Sequence, residues 1–156
     1  MNLLDFSTIL RDLHPLTTHF PIALLIVSVF LDILARFRAQ NAGLKTAAYI
    51  TLLLGALAAV VTVITGNIEL FTLGGENSPV GQLVAQHETI AVPTTLLFVG
   101  IAIWRFTNQR KGKDISNSSL FLALEVLGVV GLFLTGLAGG NLVYTYGIGV
   151  ESIALP

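Results

Sequence analysis

The chain has 156 residues and a net charge of −1, with 54% hydrophobic and only 11% charged residues and a mean hydropathy of +0.83. A soluble domain carries about a quarter charged residues, so this composition argues against an ordinary soluble enzyme, excludes a disordered chain and supplies no basic field for nucleic acid. With no cysteine, disulfides, thiolate zinc sites, iron–sulfur ligation and c-type haem attachment fall together.

In chain order, residues 2–13 come first. Leu3, Phe6, Leu10 and Leu13 fall near one helical face, with Asp5, Thr8, Arg11 and Asp12 away from it. This pattern predicts a short amphipathic helix over residues 1–13 lying in the membrane interface; a plain N-terminal extension is the alternative. No basic n-region precedes the first apolar run, so no cleavable signal peptide is expected. Four apolar runs follow, at about 15–36, 45–66, 84–105 and 119–140. Each has the roughly 20 residues that cross a bilayer. They are continuously apolar, as in LLIVSVFLDIL and LLLGALAAVVTVI, without the alternation of a barrel strand. Lipid cannot satisfy free backbone groups, so the runs must be helical. The predicted fold is all-α: a four-transmembrane-helix bundle over residues 14–150, with a tail at 151–156.

The cations set an orientation. Arg36, Arg38 and Lys45 flank the connection between spans 1 and 2, and Arg105, Arg110, Lys111 and Lys113 that between spans 3 and 4. Only Arg11 lies on the other side. By the positive-inside rule both basic loops are cytoplasmic and both termini outer. The outer side then collects His14, His19, His87, Asn67, the loop FTLGGENSPVGQ (71–82) and the stretch GGNLVYTYGIGV (139–150).

Arg36 lies 17 residues after His19, and Arg105 lies 18 after His87. At 1.5 Å per residue both histidines sit about 26–27 Å from the inner boundary. His19 and His87 are therefore at matched depth on parallel spans, where two imidazoles can ligate one metal centre; a haem b iron takes axial histidines in such a bundle. His14, five residues before His19, is turned by roughly 140° from it. Pro21 and Pro93 free backbone carbonyls near the proposed ligands, and Gly55, Ala59, Gly128, Gly136 and Gly140 offer clearance. The plain alternative is that the histidines hydrogen-bond neighbouring helices and the small residues serve packing. Asp32 precedes Arg36 by four residues, the spacing of a helical ion pair. Glu125 lies inside span 4 and is either a proton-relay group or a structural, snorkelling or hydrogen-bonded carboxyl. Trp104 and Phe106 read as inner-interface anchors, and Tyr144 and Tyr146 as outer ones. No phosphate loop, nucleophile elbow, HExxH or dinucleotide fingerprint is present.

HPLTTHFPIALL (14–25), GNIEL (66–70), His87 at the opening of span 3 and GGNLVYTYGIGV (139–150) resemble the DUF2231 family of small bacterial membrane proteins over roughly residues 10–150. The resemblance implies a four-helix membrane domain, an inner-membrane location and a redox setting, since related domains occur beside Rieske-type or cytochrome c-like modules. It makes His14, His19, His87, Gly139, Gly140, Tyr144, Gly147 and Gly149 characteristic positions. In the second motif Asn67 stands where many relatives carry Asp.

Three functions are compatible with these features. The first is electron transfer, with haem b (or a metal) held axially by His19 and His87. His14 is then an alternate ligand or supporting donor, and Arg11, Asn141 and Tyr144 are candidates for the propionates; electrons pass to a redox partner protein. The second is a non-catalytic accessory subunit of a larger membrane complex. The third is an oligomeric channel or transporter. None of the three requires a stand-alone enzyme.

Overall fold

In the computed structural model the described residues are 6–38 and 41–148, with side chains described in the first helix from Leu13 onward. They form four helices: α1 (Phe6–Phe37), α2 (Ala42–Thr72), α3 (Pro79–Arg110) and α4 (Ser119–Tyr146). All four are long and apolar enough to cross a membrane, and no strand occurs among the described residues. The expected tail 151–156, Gly149 and the side chain of Arg11 lie outside the description.

The helices outrun the apolar spans at most of their ends. A helix of 32 residues, such as α1 or α3, is about 48 Å long against a hydrocarbon core of about 30 Å. The polar turns at either end therefore reach water. Local signals set these ends. Asn41, Ser78 and Ser118 cap α2, α3 and α4 by accepting from the amides of Leu44, Gly81 and Phe121, which satisfies amides that lack an intrahelical partner. Pro79 occupies the first position of α3, where its missing N–H costs nothing. Gly147 ends α4 at φ 66°, a left-handed conformation that glycine adopts without strain.

Residues 1–5 of the expected interfacial segment lie outside the described residues; from Phe6 its backbone is not a separate helix but runs into α1 without a break at Pro15. Hydroxyls shore up this stretch. Thr17 Oγ1 donates to the His14 carbonyl (3.1 Å) and Thr18 Oγ1 to that of Pro15 (2.8 Å). Pro21 removes the amide that would bond the Thr17 carbonyl. Thr62 Oγ1 of α2 donates to that carbonyl instead, at 3.2 Å.

Successive helices are antiparallel and pack in a ring, α1 on α2, α2 on α3, α3 on α4 and α4 back on α1. The α1/α2 face is the most extensive. Gly55 makes it close, since a Cβ there would stand 2.7 Å from Leu25 Cδ2. The diagonals α1/α3 and α2/α4 make no close backbone approach. At mid-height the space inside the ring is filled by Leu25, Val29, Leu52, Ala56, Ala59, Phe98, Ile101 and Ala102, with Phe121 nearer one end. One end of the bundle carries the basic α1–α2 and α3–α4 connections; the other carries the histidines.

At the basic end Lys45 Nζ meets Asp114 at 2.6 Å. Partial burial alone would raise the Asp114 pKa, but hydrogen bonds from Lys45 and Ser116, with the Lys45 charge, outweigh it and bring it from 3.8 down to about 2. Trp104 is half-buried, its ring 5.8 Å from that of Phe121. It is thus a packing residue as well as an edge aromatic, while Phe106, under the Arg110 guanidinium at 5.8 Å, stays exposed.

Candidate functional site

The two ends of the bundle hold its polar chemistry, and in both cases α1 and α3 reach across the diagonal. At the histidine end His14 and His87 meet with ring centroids 6.4 Å apart and planes at 81°. His14 Nδ1 is 3.0 Å from the Thr62 carbonyl oxygen. A carbonyl can only accept, so Nδ1 carries the proton and in the neutral ring the lone pair resides on Nε2. This is the arrangement in which a backbone carbonyl fixes the tautomer and orientation of a metal-binding imidazole. Thr17 Oγ1 and Thr65 Oγ1 lie 2.9 Å apart between α1 and α2, and Thr65 Oγ1 is 3.0 Å from the Thr62 carbonyl; each hydroxyl has one proton, shared between the other hydroxyl and the carbonyl of its own helix.

His87 lies against α4. Its Nδ1 is sealed from solvent and makes no hydrogen bond of ordinary geometry, although the Thr135 backbone is close enough to act on it. Glycines floor both rings. A Cβ on Gly66 would stand 3.0 Å from His14 Cε1, and one on Gly139 3.4 Å from His87 Cε1. His14, Gly66, His87 and Gly139, which come from four separate stretches of sequence, thus converge on one point, one from each helix.

The structure brings His14, not His19, to His87. The five-residue offset between His14 and His19 decides this, because it places them on different sides of α1. His19 is exposed and its Nδ1 donates back to the Pro15 carbonyl at 3.0 Å. Spans 1 and 3 are also diagonal rather than neighbouring. Tyr144 is 91% exposed. Asn141 is exposed, its side-chain oxygen accepting from Thr145 at 2.6 Å. Neither joins the histidine pair. Asn67 is exposed and donates to the Val63 carbonyl on its own helix. No cluster of three or more His, Cys, Asp or Glu suited to a metal ion occurs among the described residues.

At the basic end the expected Asp32–Arg36 pair is replaced by Asp32–Arg105. Arg105 meets both Asp32 carboxylate oxygens through Nη1 and Nη2, the second at 3.0 Å, and Nη2 also donates to the Lys45 carbonyl at 3.2 Å. Aromatic rings of Tyr49 and Phe121 flank the guanidinium at 5.8 and 5.3 Å. Arg36 turns to the α3–α4 connection, its Nη2 donating to the carbonyls of Ser116 and Ser118 at 2.9 and 2.7 Å.

Sequence reasoning passed over Thr17, Thr62 and Thr65, met Gly66 only as part of GNIEL, and read Arg105 only as a boundary cation. One signal could have found the pairing. His14 to Asp32 and His87 to Arg105 are both 18 residues, which is five helical turns. The same face of α1 that carries His14 must carry Asp32, and the same face of α3 that carries His87 must carry Arg105.

Compared with known protein families, residues 11–152 match the family described as "Predicted membrane protein (DUF2231)". No curated protein and no solved structure matches.

Proposed function

We propose that this chain, which belongs to the DUF2231 family of membrane proteins, is an integral membrane redox protein whose His14 and His87 ligate a haem b iron or, failing a macrocycle, a transition-metal ion. The observation that carries this reading is the meeting of the two imidazoles across the α1/α3 diagonal. Zinc–imidazole bonds are about 2.0–2.1 Å, and rings with centroids 6.4 Å apart are close enough for both to reach one ion. The anchored Nδ1 of His14 leaves Nε2 as the free donor atom, and His87 Nδ1 lies against Gly139 and the Thr135 backbone of α4.

A group bound there would supply one-electron chemistry, with a potential tuned by the two histidines and their hydrogen bonds. The chain's own residues do the positioning. Thr62 orients His14, Gly66 and Gly139 let the rings seat against α2 and α4, and the apolar core fills the bundle between the two ends. Asn141 and Tyr144 stand exposed at the same end, where solvent-facing carboxylates of a haem would emerge. Electrons would be exchanged with a partner protein at that end.

The test is the absorbance spectrum of detergent-purified protein after haem-supplemented expression, oxidised and then dithionite-reduced, with metal analysis alongside. A Soret band and sharp reduced bands are expected, lost in His14→Ala and in His87→Ala and retained in His19→Ala. A featureless, metal-free wild type would refute the reading. So would a cofactor indifferent to His14 and His87.

The second reading is an accessory subunit of a larger membrane complex. It is favoured by the tie between α1 and α2, where His14, Thr17, Thr62 and Thr65 already satisfy much of their bonding within the bundle. A stable partner in mild-detergent pull-downs of cofactor-free protein would support it. A pore through a single bundle is disfavoured, since the mid-height core closes the ring.

A further inference from the structure

Glu125 of α4 is completely enclosed, at 0% exposure, and neither carboxylate oxygen meets a hydrogen-bond donor; the Asp32 carboxylate beside it can only accept. The ionisable groups that act on it are Asp32, Arg105 and Arg36. Asp32 of α1 is already engaged by Arg105 of α3. Arg36 of α1 spends its Nη2 on two carbonyls. Helix α2 does not pack on α4, and contributes only the Lys45 carbonyl and the Tyr49 ring, both to Arg105. No donor therefore reaches Glu125.

An ionised carboxylate sealed from water without a donor costs several kcal/mol, and the neighbouring Asp32 adds like charge. A neutral carboxylic acid escapes both penalties and needs only an O–H. Arg36 links the surroundings of Glu125 to Ser116, whose carbonyl it bonds, and its enclosed Nε lacks a partner. A buried water can satisfy such a group. The enclosed Ser116 side chain in turn acts on Asp114. The Ser116 backbone amide donates to Asp114 at 2.9 Å, and Asp114 is 45% exposed in its side chain.

We propose that Glu125 is a proton-binding site within the membrane domain, exchanging its proton with water at the basic end along Ser116 and Asp114. Uptake adds one proton to a carboxylate oxygen and gives the neutral acid; release returns it to water. The Asp32 carboxylate beside Glu125 is held on both oxygens by Arg105. The site does not depend on a cofactor at the histidine end.

The experiment is infrared spectroscopy of the full chain in lipid, stepped through pH in H2O and D2O. A carboxylic acid C=O band that comes and goes with pH and shifts in D2O is expected. Uniform 13C labelling of glutamate in the wild type moves that band, and Glu125→Gln removes it while Glu125→Asp keeps a displaced one. Ser116→Ala slows its exchange in D2O. No such band at any pH, a band unmoved by labelled glutamate, or an unchanged band in folded Glu125→Gln would each overturn the proposal. The labelled wild type and Glu125→Asp keep the question answerable where Glu125→Gln fails to fold. Exchange in Ser116→Ala at the wild-type rate would overturn the route.

Discussion

Two rings and two glycines define the histidine end. Gly66 and Gly139 have the same residue type but different tolerances. A methyl on Gly66 would stand 3.0 Å from Cε1 of a ring that the Thr62 carbonyl also holds, so ring and helix must both give. Overpacking of this kind costs about 1–3 kcal/mol. A methyl on Gly139 meets His87 Cε1 at 3.4 Å, an ordinary contact. There the gain in helix propensity, at most about 1 kcal/mol, is unopposed. Gly66→Ala should therefore destabilise the detergent-solubilised protein in reversible unfolding, and Gly139→Ala should leave it unchanged or slightly more stable. The reverse order would show that the rings do not rest where the structure puts them. That the histidines gather at the end away from the basic connections was legible from sequence. The partner was not. Counting from Arg36 and Arg105 set His19 level with His87, whereas the residues that meet across the diagonal are Asp32 and Arg105, which brings His14 level with His87; depth, besides, says nothing about azimuth. His14 and His19 differ by five residues, about 7.5 Å in height and more than a third of a turn around α1.

The helices themselves were plain from four apolar runs; their ends were less so. Hydropathy ends where lipid ends, whereas a helix ends where its caps are, and Ser78, Ser118 and Gly147 place those caps in or near water. The ties between helices differ in worth. Thr62→Val removes the hydroxyl that satisfies the carbonyl freed by Pro21. Interhelical side-chain hydrogen bonds in membranes average about 0.6 kcal/mol and reach about 1.7. Arg105→Leu instead leaves Asp32 enclosed and unpaired beside Glu125, and breaking a buried pair costs about 3–5 kcal/mol. Unfolding in mixed detergent should rank Arg105→Leu well below Thr62→Val in stability. Asp32→Asn combined with Arg105→Leu should recover part of the loss, since no charge is then stranded. Comparable losses in the two single variants would mean that Arg105 is hydrated rather than sealed in.

At the scale of the whole molecule, the α1/α3 diagonal is bridged twice, by imidazoles at one end and by Asp32–Arg105 at the other, with an apolar plug between. The five-turn spacing on both helices links these bridges, about 27 Å apart. This arrangement gives the bundle two chemically different ends, and the cations predict which faces which side. Seven of the eight Lys and Arg flank the α1–α2 and α3–α4 connections, and the K/R bias of short loops sets orientation. The absence of cysteine makes this directly measurable, because any introduced thiol is unique. Glu76 in the α2–α3 connection and Lys113 in the α3–α4 connection are both exposed. In intact cells with a permeable outer barrier, a membrane-impermeant maleimide should label Glu76→Cys at once, and Lys113→Cys only after the membrane is opened. Labelling in the opposite order would put the histidine pair on the cytoplasmic side. Glu125 would then exchange its proton with the outer aqueous phase, and a redox partner for the histidine end would have to be sought in the cytoplasm.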